Sequence, residues 1–373
     1  MLIHVATSAI ADATSASATA RKSTECIDHL LCAHHECAHI VRIAPEDIDR
    51  LLKGSPRLSP DAFAVLQRIA ATAMELEGLQ ADLAWHLELG VGHAFDGQFL
   101  PRSGGGQVIR ANLHHFHPRQ CVQKTVLLAE HVTDANLYFR IAEIFIVAGG
   151  LGDLRLSAER HGGGGSGFAG EYVVYADEGR IILAIADGDQ RYPNGPHGKT
   201  WKGLDSVARE HPAFQRARTI GVREAENLIS LDAYEAIVAQ KNEKDPRLLS
   251  IKRLRQLNPR ERAHADFKKG LTLYQLDQWP DGPEKQMWSD MSERLRRDRC
   301  TKNSRDECTT LEDCGCFVVN PISTGILADV VAWLHREPAQ RVAKLLQLSD
   351  NEHLKQLCEE VVAWACAPPE LIT

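Results

Sequence analysis

Two short, unbroken apolar runs organise the middle of the chain. Thr125-Val-Leu-Leu-Ala129 leads into Glu130-His-Val-Thr-Asp134, and Ile181-Ile-Leu-Ala-Ile-Ala186 leads into Asp187-Gly-Asp189. Continuous apolar runs bounded by polar residues suit strands covered on both faces, as in a parallel sheet held between helices. In such sheets ligand-binding groups collect beyond the carboxyl ends of the strands. Glu130, Asp187 and Asp189 are therefore expected at one rim. Between the two runs the pattern predicts a helix from about Thr133 to Glu143 and a strand over Ile144 to Ala148. Gly149-Gly150 follow, then Gly162 to Gly165 with Ser166, leading into a polar, helical stretch. Strand, helix, strand is the alternation of right-handed parallel crossovers.

On the N-terminal side, apolar stretches at Leu2 to Ala6 and His39 to Ile43 alternate with helical patterns, of which Ser59 to Leu79 is the clearest. Ser59-Pro60-Asp61 is a helix start, with proline in the first turn and an acid near the positive end of the dipole. A polar, glycine-bearing and histidine-rich stretch from Ser103 to Gln120 marks a boundary. The last third is largely helical in pattern. The fold class read from this is α/β: an N-terminal α/β or helical domain over 1–115, a unit built on a parallel sheet over 120–235, and a helical C-terminal region over 240–373.

Composition narrows the partners. The 373 residues, 44% hydrophobic and 25% charged, are an ordinary globular balance, and the formal charge of -7 argues against a surface that wraps nucleic acid throughout. A polyanion would have to meet a local basic face, and Lys241 to Asp306 offers 17 Lys and Arg against 11 Asp and Glu. A solvated helical surface with scattered ion pairs explains that stretch equally well. The Ala-, Ser- and Thr-rich start has neither the basic region nor the apolar core of a signal peptide, and no apolar run is long enough to cross a membrane. The expectation is a cytoplasmic protein whose ten cysteines are thiols or metal ligands.

Three carboxylates sharing one rim repel one another unless a cation lies between them, and hard oxygen ligands favour Mg²⁺ or Mn²⁺. The loop after Asp189 carries Arg191 and Lys199, cations suited to steering a substrate phosphate. Gly163 and Gly164 could cradle phosphate through their amides or form a plain surface loop. Cys300, Cys308, Cys314 and Cys316 lie in a polar segment of a reduced chain, where tetrahedral structural Zn²⁺ explains them better than packing does. The earlier group from Cys26 to His39 fits no zinc spacing and reads as core and surface residues. Asp266-Phe-Lys268-Lys269-Gly270 either supplies Lys269 to the acidic centre or is a helix end.

With Glu130 after a first strand and Asp187-x-Asp189 after a later one, the chain resembles the Toprim family. This metal-binding domain is shared by topoisomerases, bacterial primases, small RNA-maturation nucleases and the overcoming-lysogenization-defect nucleases. Asp134 keeps the acidic position that follows the family glutamate, whereas His131 stands where glycine is usual. Arg223-Glu224-Ala-Glu226-Asn227 resembles the segment that closes the unit in defence-associated members, where an acid joins the metal shell; on spacing alone the two acids serve equally as a helix start. The resemblance implies a Mg²⁺-dependent nuclease acting on DNA or RNA, a bacterial anti-phage effector, with a protein partner or a second copy of itself. Glu130, Asp134, Asp187 and Asp189 would hold the metal, helped by Glu226. The rival expectation is a non-catalytic Toprim-like scaffold or sensor.

Overall fold

The computed structural model describes residues 1–54, 58–102, 106–151, 154–298 and 315–369. The chain forms two compact units. One comprises Met1–Ile185, Gly203–Arg218 and Gln356–Thr373, the other Ala186–Lys202 and Thr219–Lys355.

The first unit carries two sheets. In the N-terminal sheet, strands β1 (Leu2–Val5), β2 (Ile40–Ile43), β3 (Trp85–Gly90), β4 (Asp96–Pro101) and β5 (Gln107–Asn112) lie in the order β2-β1-β3-β5-β4. All neighbours are parallel except β4, which runs against β5. The N-terminal region is thus α/β, with helices α1 (Thr7–Ala13), α2 (Ala20–His35), α3 (Pro45–Lys53), α4 (Pro60–Ala71) and α5 (Ala73–Asp82) connecting the strands. The start of α4 is the one its sequence signals: Pro60 opens the helix and Ser59 Oγ accepts from Ala62 N at 3.3 Å.

The second sheet has the order β10-β9-β6-β8, with β6 over Thr125–Ala129, β8 over Ala158–Gly162, β9 over Ile182–Ala186 and β10 over Gln215–Thr219. Strand β6 is parallel to both neighbours, and Ala129 lies opposite Gly162 on one side and Ile185 on the other. Every residue of β6 and β9 is buried, which is why both read as unbroken apolar runs. Helices α6 (Val132–Gly149), α7 (Phe168–Asp177) and α8 (Lys199–Ala208) belong to this part of the chain. The strand expected at Ile144 to Ala148 is instead the last turns of α6. Ile141, Ala142, Ile144 and Ile146 are buried while Val147 is 56% exposed, and the helix ends at Gly150, whose φ of 66° supplies a left-handed cap. The partner strand of β6 is β8, Ala-Glu-Arg-His-Gly, which has no apolar signature. A short ribbon pairs β7 (Arg155–Leu156) with β13 (Cys366–Ala367), following a C-terminal segment in which Trp364 Nε1 donates to Ile182 O at 3.0 Å and Thr125 Oγ1 donates to Trp364 O at 2.6 Å.

The second unit is mainly helical: α9 (Leu231–Lys241), α10 (Arg247–Leu254), α11 (Pro259–His264), α12 (Leu273–Gln278), α13 (Pro283–Arg294), α14 (Ile326–Arg336) and α15 (Ala339–Leu346), with an antiparallel ribbon of β11 (Leu271–Thr272) and β12 (Phe317–Val319). The following helix α16 (Glu352–Ala365) starts in this unit and ends in the first. In the basic stretch from Lys241 onward, several of the described cations are engaged in ion pairs. Lys241 pairs with Asp329 at 2.6 Å, Arg247 with Asp245 at 2.8 Å, Arg255 with Asp232 and Glu235 at 2.6 Å each, and Arg294 with Glu261 at 2.7 Å. Of the four cysteines assigned to zinc, Cys300, Cys308 and Cys314 lie outside the described residues, and Cys316 is a half-buried thiol. No helix among the described residues is long and apolar enough to cross a membrane.

Candidate functional site

The Asp-Gly-Asp turn leaves the end of β9 and is clasped by the segment after β10. Gly188 N donates to Val222 O at 3.1 Å, Asp189 N donates to Arg223 O at 2.8 Å, and Asp187 Oδ1 accepts from Ala225 N at 3.1 Å. The middle residue must be glycine, because a Cβ there would collide with the Val222 carbonyl. Asp189 takes a left-handed φ of 52°, a region that aspartate tolerates better than most residues. The Arg-Glu-x-Glu-Asn segment is fixed in turn from below. Arg223 Nη2 donates to Asp266 Oδ2 at 2.9 Å, and Asn227 Nδ2 donates to the carbonyls of Arg262 at 2.7 Å and Ala265 at 2.9 Å. Asn227 Oδ1 also accepts from Glu224 N at 3.0 Å.

These contacts gather Asp187, Asp189, Glu224 and Glu226 within the second unit, with Lys268 among them. Lys268 Nζ lies 3.2 Å from Glu226 Oε1 and 3.7 Å from Glu224 Oε2. Burial raises the Glu226 carboxyl to about 7, against the pull of Lys268. Burial also raises Glu224, with Lys268 and Arg223 opposing and Asp266 and Asp189 adding to the rise. For Lys268, burial works against the charge, yet Glu226, Glu224 and Asp187 together hold the ammonium above the ordinary lysine range. Glu226 is 1% exposed, and the buried Oε2 atoms of Glu226 and Glu224 have no hydrogen-bond partner among the described residues.

The lysine selected from sequence, Lys269, is exposed, and its backbone N–H donates to Asp266 Oδ1 at 2.7 Å. The inward residue is Lys268. Glu130 follows β6 directly, in the first unit, and its carbonyl accepts from Gly164 N at 3.1 Å while Gly163 N donates to Ala129 O at 2.8 Å. The amides of Gly163 and Gly164 are therefore engaged in extending the β8 pairing. Gly162 passes the start of α6 so closely that a Cβ would stand 2.6 Å from Val132 N. Asp134 caps α6, accepting from His131 N at 3.2 Å. His131 has an ordinary extended φ of -128°, so the position does not require glycine. Arg191 pairs with Glu284 at 3.3 Å and lies over the Trp279 ring, whereas Lys199 is exposed.

Among the described residues no group of three or more His, Cys, Asp or Glu side chains is arranged to hold a metal ion. The donor chemistry of the second unit nonetheless suits a hard cation: four carboxyls, of which Glu224 and Glu226 each have a buried oxygen with no hydrogen-bond partner among the described residues. Comparison with family models, with curated proteins and with solved structures found no match.

Proposed function

We propose that the chain is a Toprim-like, Mg²⁺-dependent enzyme that cleaves phosphodiester bonds in nucleic acid; the anti-phage role follows the same resemblance. The observation that carries the reading is the clasp of the Asp187-Gly-Asp189 turn by Arg223 to Asn227, which collects four carboxyls and one ammonium at the end of a buried parallel strand. Asp187, Asp189 and Glu226, all in the second unit, would hold Mg²⁺. When bound, the ion would polarise the phosphodiester and lower the pKa of an attacking water. The chain's own part is electrostatic. Lys268 offsets the repulsion among the acids and offers a positive charge to a phosphate, and Asn227 and Arg223 fix the backbone from which the acids project.

A second reading has its own support. Lys268 already balances Glu224 and Glu226, as expected of a scaffold that retains the fold without chemistry. Single- and double-stranded DNA and RNA incubated with the protein in Mg²⁺ and in EDTA separate the two. We expect Mg²⁺-dependent cleavage that the D187A/D189A double variant loses with its circular dichroism unchanged. Cleavage undiminished in that variant would refute the assignment, and no cleavage together with no Mg²⁺ binding at millimolar concentration would favour the scaffold.

A further inference from the structure

The segment that leaves Asp189 returns to it. Gly198 N donates to Gly188 O at 3.3 Å, His197 Nδ1 lies 3.2 Å from the same carbonyl, and a Cβ on Gly198 would collide with the Asp189 carboxylate. Helix α8 begins at the next residue, so Lys199, Trp201 and Lys202 occupy its first turn, a rise of about 5 Å along the axis directly after the glycine that meets the acid. Lys199 and Lys202 are exposed and form no ion pair among the described residues, unlike Arg191 at the other end of the loop, which Glu284 engages at 3.3 Å. Trp201 is half-buried, its ring 6.0 Å from that of His197 at an angle of 60°. Tyr192 and His197 are likewise half-buried. Accessible rings interleaved with unpaired cations, tied by backbone contacts to a carboxylate turn, match what a single strand needs: faces for its bases and charges for its phosphates.

We propose that this edge binds single-stranded nucleic acid, with a base stacked on Trp201 and the flanking phosphates on Lys199 and Lys202. Duplex is disfavoured on two grounds. Its base faces are hidden in the stack, and a protein of net charge -7 with two unpaired lysines here lacks the broad cationic face that duplex binding requires. What happens to the bound strand rests on the function proposed above; the binding itself does not.

The test is fluorescence anisotropy of labelled oligo-dT, oligo-U and a blunt duplex of equal length, with the full chain in EDTA so that no turnover intervenes. At least one single strand is expected to bind about tenfold or more tighter than the duplex. Trp201→Ala is expected to weaken that binding about tenfold, and Trp201→Phe, which keeps a stacking ring, less than about threefold. Lys199→Ala with Lys202→Ala should lower the slope of log affinity against log salt by about 1.4, at about 0.7 for each phosphate contact on a single strand. Duplex bound as tightly as single strand, no binding of any probe, or W201A and the double lysine variant both behaving as the parent would each overturn the proposal. Binding without cleavage in Mg²⁺ would sink only the catalytic reading. If W201A fails to fold, W201F and the lysine pair still decide the matter.

Discussion

Glu226 contributes a pH response to the second unit. Burial raises its carboxyl to about 7, so between its unfolded value near 4.5 and about 7 the folded chain binds more protons than the unfolded one. Stability therefore falls as pH rises through that window and is level above it. The shift corresponds to on the order of 3 kcal/mol. Glu226→Gln keeps the shape without the charge and is expected to flatten the decline, which thermal unfolding at pH 5, 6, 7 and 8 would show; a decline as steep as the parent's would count against Glu226 as its source. Lys268→Met removes the cation that pairs with Glu226 and is expected to cost about 3–5 kcal/mol at pH 8, less at pH 5 where the acid is already neutral. Lys269→Met at the exposed neighbour should stay within about 0.5 kcal/mol. Chemical denaturation of the two variants checks the contrast. The acids were legible in the sequence because each ends or follows an apolar run. The choice between adjacent lysines was not, since it depends on Asp266 taking the Lys269 N–H and so turning its neighbour inward.

At the scale of elements, β6 and β9, buried on both faces, read clearly, whereas β3, β4, β5, β8 and β10 did not, and Gln107–Asn112 of β5 falls inside the stretch read as a boundary. Strand β8 is held by its register against β6 and by the closeness that Gly162 permits, neither of which leaves a trace in hydrophobic periodicity. Helix α6 was legible in part. The run Ile-Phe-Ile-Val-Ala resembles a strand in composition, but no breaker precedes Gly149, and an uninterrupted stretch from Val132 is better continued than restarted. Two substitutions test this account. Gly162→Ala forces a methyl against the α6 backbone and is expected to cost more than about 2 kcal/mol, because all three atoms it would meet are backbone. Asp134→Ala should cost about 1 kcal/mol by leaving the His131 N–H without its acceptor, while Asp134→Asn retains most of the cap. Equal losses for alanine and asparagine would point to the charge of Asp134 rather than to capping.

The first compact unit is assembled from three segments of the chain and the second from two, an order that local patterning could not disclose because periodicity says which face is buried and not which distant segment covers it. The segment from Gln356 onward shows what that means energetically. Trp364 is 1% exposed, stacks edge-on with Trp85 at 5.8 Å between ring centroids, and donates to the carbonyl of Ile182 in β9. Glu360, 3% exposed, receives the guanidinium groups of Arg216 and Arg218 from β10. The C-terminal helix thus completes the core under the strand that delivers Asp187. Trp364→Ala is expected to cost about 3–5 kcal/mol through the cavity it opens, more than Glu360→Gln, which keeps an acceptor for the arginines. Hydrogen exchange localises the effect. In Trp364→Ala, amides of Ile182 to Ala186 should lose protection ahead of those in α13, since the lost contacts belong to the first unit; uniform loss along the chain would mean that the helix stabilises the whole fold and not this sheet.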